Sequence, residues 1–180
     1  MAHRFLSEFK QYLGREVSNV DKDFLLETCL SGAESFIESN YNLPLVETTI
    51  TETLDGDDTN YLYLNYRVSS VSSLTVDEEL VDPSDIYIKS GVVRLISGTF
   101  SEGIQNIEIT YTCGWADLNL PSALKVALFS LAGMMFKEAD EARTGVEGWN
   151  TNTKTGMDYV VQHLPPTFEK LVSPYRVIRF

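Results

Sequence analysis

Apolar and polar positions change period along this chain, and the changes mark its elements. Phe5, Phe9, Tyr12 and Leu13 recur at helical spacing until Gly14 stops the run, which predicts a short amphipathic helix over Phe5–Leu13. Asp21 stands where an N-cap would, ahead of DKDFLLETCLSGAESFIESN. In that stretch Leu26, Leu30, Ala33 and Ile37 form one stripe, widened by Leu25, Cys29 and Phe36, with Glu27, Glu34 and Glu38 on the solvated side. Asn40, Asn42 and Pro44 end the helix. From Val46 the period drops to two. Thr48–Thr53 alternates, and DGDD at Asp55–Asp58 reads as a hairpin turn returning into the strand Tyr61–Tyr66. Val71, Leu74 and Val76 predict a further strand, closed by a turn at Asp77-Glu78-Glu79. Ile86–Ile88 and Val92–Leu95 flank Ser90-Gly91 as a tight hairpin. Ile107, Ile109, Tyr111 and Cys113 then face one way and Glu108, Thr110 and Thr112 the other, until Gly114.

Pro121 sits at the first turn of the next helix, where its fixed φ is already helical and its missing N–H is not needed. Leu124, Val126, Ala127, Leu128, Phe129, Leu131, Ala132, Met134, Met135 and Phe136 make this helix apolar nearly all round. A helix covered on one side keeps a polar face, so this one is expected to be covered twice, once by its own chain and once by a second copy. Arg143–His163 is polar, glycine-rich and aperiodic, and is expected to be a mobile loop that orders on assembly. After Leu164-Pro165-Pro166 comes a short helix over Thr167–Val172 and an apolar, basic end, Ser173–Phe180.

The expected fold is α+β: a helical bundle, built from N-terminal helices and a long central apolar helix, with an inserted antiparallel β-rich subdomain. Its parts are an N-terminal helical part (1–44), the β-rich insertion (45–113), a central helix completing the bundle (114–141), a flexible loop (142–164) and a C-terminal short helix with a docking tail (165–180).

With 43% hydrophobic and 11% aromatic residues the composition is globular. No run of eighteen apolar residues predicts a membrane span, and MAHRFLSEFKQYLG has no apolar core of a secretory signal. The net charge of −12 disfavours a grip on nucleic-acid phosphates. Between Leu45 and Ser90 ten acids meet two bases, so −8 of that charge lies in the turns of the β-rich part. Cys29 and Cys113 fall on apolar positions and read as buried free thiols made in a reducing cytoplasm.

No catalytic centre, metal site or cofactor motif emerges. His3 is placed at a frayed terminus and His163 in a loop, neither with metal-ligand spacing. Asp55, Asp57 and Asp58 resemble half of a calcium loop, but the Glu required at its twelfth position is missing. Ser122 is a first-turn helix residue without a His partner, and no glycine-rich phosphate loop precedes a helix. Trp115 reads as packing, whereas Trp149, in the loop, is a candidate anchor for a partner.

The order of these pieces resembles the tailed-phage head–tail connector (adaptor, or head-completion) proteins along almost the whole chain. The resemblance is carried by FLSEFKQYLG and DKDFLLETCLSGAESFIESNYN, the TETLDGDDTNYLYL stretch and VSSVSSLTVD. It continues through IEITYTCGW, LPSALKVALFSLAGMMF and the LPPTFEKLVSPYR ending. It implies a structural virion protein, not an enzyme, that forms a ring, expected to be dodecameric, beneath the portal at the head–tail junction. Its partners would be further copies of itself, the portal protein, the next tail or stopper protein, and passing double-stranded DNA without base-specific contact. By the same resemblance Tyr175, Arg176, Val177, Ile178, Arg179 and Phe180 would dock on the portal. The long β-rich part departs from the smallest, all-helical members. Leu124, Leu128, Leu131, Met135 and Phe136 of one helix, with Leu26, Leu30 and Ile37 of the other, are expected to make the contact between copies. Asp55, Asp57, Asp58, Asp77, Glu78 and Glu79 would line the channel or face the tail, where carboxylates repel phosphate. Rival expectations are a tail-terminator or stopper ring, a small carboxylate-dependent hydrolase, and a monomeric β-rich binding module.

Overall fold

A computed structural model of the chain describes residues 3–89, 91–116, 119–143, 164 and 167–176. The elements are helices α1 (Leu6–Tyr12), α2 (Asp23–Tyr41), α3 (Ser122–Arg143) and α4 (Phe168–Val172), and strands β1 (Thr48–Gly56), β2 (Tyr61–Leu62), β3 (Val68–Val76), β4 (Glu79–Leu80), β5 (Ile86–Lys89), β6 (Val92–Leu95) and β7 (Gly103–Cys113). They divide into two compact units, Met1–Phe36 with Pro121–Pro174, and Ile37–Leu120 with Tyr175–Phe180.

The first unit is helical. Leu26, Leu30 and Ala33 of α2 and Leu124, Ala127, Leu128, Leu131 and Ala132 of α3 are almost wholly buried, as is Phe168 of α4. The rings of Phe5, Phe9 and Tyr12 surround Phe129, with centroids 6.2, 5.5 and 5.6 Å away. Ion pairs tie its outside together, Arg4 to Glu34 (3.0 Å), Lys125 to Glu8 (2.8 Å) and Lys22 to Asp140 (2.5 Å), and the His3 ring nitrogen lies 3.1 Å from Glu34. His3 is thus a held residue rather than part of a frayed end. Lys10, only 3% exposed, donates to the carbonyls of Val17 (3.2 Å) and Asn19 (2.7 Å) and to Asp23 (2.8 Å). That ammonium pins the turn leading into α2, which begins at Asp23 because Lys22 takes a left-handed φ of 68°.

The second unit is built on β7. β1 and β3 flank it, giving a four-stranded antiparallel sheet in the order β1-β7-β3-β4, and β2-β6-β5 form a three-stranded sheet. Ile107, Ile109, Tyr111 and Cys113 are fully buried on one face of β7, as the alternation predicts. They join Leu74 of β3 and Leu62, Val93 and Leu95 of the other sheet in one apolar cluster. On β3 the apolar residues recur every third position, Val68, Val71 and Leu74. Register shifts between Val68 and Ser70 and between Val71 and Ser73 let a strand carry that spacing, because each bulge adds a residue on the outer side. Asp77 and Glu78, at φ 51° and 67°, form the two-residue turn into β4. Gly114 ends β7 at φ 79°, where a Cβ would strike the Val46 carbonyl.

The expected helical bundle with a β insertion and a long central apolar rod is not the fold. Among the described residues four α-helices accompany two antiparallel sheets, and the sheets hold a core of their own. α3 is striped instead of apolar all round: Leu124, Ala127, Leu128, Leu131 and Phe136 are buried, while Ser122, Val126, Lys137 and Glu138 are exposed. The pattern misled because Val126, Met134 and Met135 count as apolar yet keep part of their surface exposed. The DGDD hairpin is also corrected. Asp55 and Gly56 end β1, which pairs with β7, while β2 pairs with β6, so Asp57 and Asp58 lead from one sheet to the other and not between two adjacent strands.

Candidate assembly surfaces

Asp55, Asp77, Glu78 and Glu108 gather at one end of the four-stranded sheet, where β1 ends, β7 begins and β3 turns into β4. Gln105 takes a left-handed φ of 53°, which turns its N–H to the Asp55 carboxylate at 2.6 Å. Asn106 accepts from the Gly56 N–H (2.9 Å) and donates to Asp77 (3.2 Å), and Ser101 also donates to Asp77. An open cleft of about 620 Å³ lies there, lined by Thr53, Thr75, Asp77, Glu78, Gln105, Asn106 and Glu108. A smaller one of about 210 Å³ is lined by Leu54, Asp55, Asp57, Tyr61, Leu62 and Tyr63.

These carboxylates behave as turn acceptors. Hydrogen bonds from Ser101 and Asn106 hold the Asp77 carboxyl below the usual range, and those from Thr59 do the same for Asp57. Neither is raised, as a general acid near neutral pH would be. Asp58 donates its backbone N–H to the Phe100 carbonyl, and Glu79 opens β4. The structure therefore gathers Asp55, Asp77 and Glu78 around the start of β7 and leaves Asp57 and Asp58 in the link between sheets. Among the described residues no group of His, Cys, Asp and Glu is arranged to hold a metal. Among the described residues no helix is long and apolar enough to cross a membrane.

The outer face of the four-stranded sheet is almost entirely hydroxyl. Thr49, Thr112 and Ser70 lie in one row and Thr51, Thr110 and Ser73 in the next; Thr53, Glu108 and Thr75 form the third. The Thr51 and Thr110 hydroxyls bond across the ladder at 2.8 Å. On the three-stranded sheet, pairing sets Arg94 between Tyr61 and Tyr87. Its guanidinium lies 5.2 Å from the centroid of the Tyr61 ring. Sequence reading missed this row. The only signal was a charged residue at an outward position of Val-Val-Arg-Leu, and its tyrosine neighbours come from strands up to thirty-three residues away.

Of the expected copy-to-copy residues, Leu124, Leu128, Leu131, Leu26, Leu30 and Ile37 are at most 1% exposed, Phe136 is 9% exposed and Met135 is half-buried. They fill the interior of the single chain and offer a neighbour almost no surface. Of the expected docking tail, Tyr175 and Arg176 are placed. The Tyr175 ring meets Trp115 edge to face at 5.9 Å, and the Arg176 guanidinium lies 5.7 Å from the Tyr41 ring centroid. Val177, Ile178, Arg179 and Phe180 lie outside the described residues, as do Trp149, His163 and nearly all of the loop 142–164.

The model of the head completion protein family matches residues 5–178 of the chain. No curated protein matches it. Three solved structures are similar in fold along nearly the full length. A chain in the neck of an empty GTA particle computed with C6 symmetry is 16% identical at a TM-score of 0.64, covering 100% of this chain and 94% of that one. A chain in the neck of a native GTA particle computed with C12 symmetry is 17% identical at 0.62, covering 98% and 90%. A chain in the virion of a native gene transfer agent particle is 20% identical at 0.61, covering 97% and 90%.

Proposed function

The chain belongs to the head completion protein family of head–tail connectors, and on that premise we propose that it forms a ring between the portal and the next tail component. Its place is the virion, at the neck. The observation that carries this reading is the family match, which spans both the helical and the β-rich unit. Similar chains belong to particle necks computed with C6 and C12 symmetry, and twelve copies is the stoichiometry that reading favours. The work asked of such a ring is structural: it extends the channel, closes the head and presents a platform to the tail. A surface dominated by carboxylates suits that role, since DNA passing an acidic wall meets no counter-charge that would hold it.

In this reading the end of the chain docks on the portal. Trp115 and Tyr41 hold Tyr175 and Arg176, the first two residues assigned to that contact. The test is co-sedimentation with portal-bearing heads, and with tail-tube protein as the comparison. A chain lacking Val177–Phe180 should keep its thermal unfolding midpoint and lose portal binding. Binding to portal at the level of the intact chain would overturn the docking assignment. Binding to tail tube but not portal would move the ring to the tail end.

A further inference from the structure

Residues 37–120 carry fourteen acids and three bases, Arg67, Lys89 and Arg94. All three bases are exposed. Every ion pair found lies in the helical unit, and among the described residues none joins these cations to a carboxylate. None of the three is therefore neutralised by a carboxylate of its own unit among the described residues. Arg94 and Lys89 stand on the three-stranded sheet, beside Tyr61 and Tyr87, which are 43% and 49% exposed. With the Asn60 amide turned so that its oxygen faces the guanidinium, that oxygen accepts from Arg94 at 3.2 and 3.3 Å. The guanidinium is therefore steadied by an amide and a ring but not neutralised. Tyrosine and arginine in this arrangement are what the centre of a protein interface uses: broad, stiff side chains with few rotamers to freeze.

The acidic end of the four-stranded sheet is its complement. The cleft of about 620 Å³ carries Asp77, Glu78 and Glu108. Asp77 is committed to Ser101 and Asn106, whereas the Glu78 and Glu108 carboxylates have no partner among the described residues. Two exposed apolar side chains are close by in the chain, Ile104 (87%) beside Gln105 and Leu80 (72%) two residues beyond Glu78. Each surface therefore offers what the other lacks, charge for charge and apolar area for aromatic area.

Resting on the ring reading above, we propose that the Tyr61–Arg94–Tyr87 face of one copy docks on the acidic cleft of the next, with Glu78 and Glu108 receiving the Arg94 guanidinium. Like patches repel when paired with themselves, so the favoured contact joins unlike patches. Such a contact repeats head to tail and closes into a ring when the rotation allows. A guanidinium between two carboxylates gives the contact direction as well as energy, because its fork of donors fits oxygen pairs.

The test is a charge-reversal swap. Arg94→Glu and Glu108→Arg both alter exposed side chains without an ion-pair partner, so circular dichroism and the unfolding midpoint should match the parent. Assembly is read by sedimentation and electron microscopy, for the chain alone over a concentration series and on portal-bearing heads. Each reversal should raise the concentration needed for assembly at least about tenfold, the loss expected from setting like charges together at an interface. An equimolar mixture of the two variants should restore assembly, because the reversed face of one meets the reversed cleft of the other. Parent and single reversals assembling alike would overturn the proposal while leaving the ring reading intact, as would a mixture that fails to recover. If the parent assembles under neither condition, the ring reading itself fails, and the proposal with it.

Discussion

Replacing Lys10 with methionine tests whether one buried ammonium holds the entry to α2. Its Nζ makes two bonds to carbonyls, at 3.2 Å to Val17 and 2.7 Å to Asn19, and pairs with Asp23, whose oxygens lie 2.6 and 2.8 Å away. The donor is a charged ammonium, so each of its three bonds contributes about 1.5–3 kcal/mol. The gross loss is then about 4.5–9 kcal/mol. Two effects reduce it. Methionine removes the cost of desolvating an ammonium, and Asp23, with 26% of its side chain exposed, can turn to water. The expected net loss is about 2–4 kcal/mol. At a urea dependence of about 2 kcal/mol per molar, the unfolding midpoint should fall by about 1–2 M. Hydrogen exchange should show the loss first at residues 14–22. Lys89→Met, at an exposed side chain, serves as the control and should cost less than about 0.5 kcal/mol. A Lys10→Met loss below about 1 kcal/mol, with exchange at 14–22 unchanged, would refute the reasoning.

Two further outcomes follow from titrating groups. Burial raises the pKa of Glu34, but bonds and charge from His3 and Arg4 outweigh it and leave the carboxyl below its usual value. The unfolded state then binds the proton more readily, so this group's stabilisation is present above the ordinary carboxylate range and fades as pH falls through it. Unfolding followed from pH 7 down to about pH 3 should show a steeper acid loss for the parent than for Glu34→Gln; superimposable acid limbs would count against the triad. Burial, reinforced by the charges of Glu38 and Glu52, pushes the Cys113 thiol up to about 11, and burial raises Cys29 as well. At pH 8 neither thiol should react with a disulfide reagent until denaturant is added, and prompt reaction of the native chain would contradict their burial.

Much of the local structure was legible in the residue pattern for direct physical reasons. A strand with one buried face must alternate, so Ile107, Ile109, Tyr111 and Cys113 announced both β7 and the side it hides. The β5–β6 hairpin, with Gly91 at φ 78°, and the Asp77-Glu78 turn were equally visible, because few residues tolerate a positive φ. The bulged strand β3 was only half visible. Its threefold spacing suits neither a regular strand nor its hydroxyl neighbours until β7 supplies the register.

What the residues could not decide was which faces meet. The apolar run of α3 says only how much must be hidden. That Leu124, Leu128 and Leu131 are hidden by their own chain is a matter of how the chain closes on itself. Nothing in the spacing marks Lys10 as buried, because two of its acceptors, the Val17 and Asn19 carbonyls, lie in a turn that no periodicity describes. The Tyr61–Arg94–Tyr87 row exists only once β6 lies between β2 and β5, and the acidic cleft only once β1 and β3 flank β7. Hydrophobic spacing is a property of neighbours along the chain and fixes secondary structure. Surfaces for assembly are made by residues distant in sequence, and only tertiary pairing places them side by side.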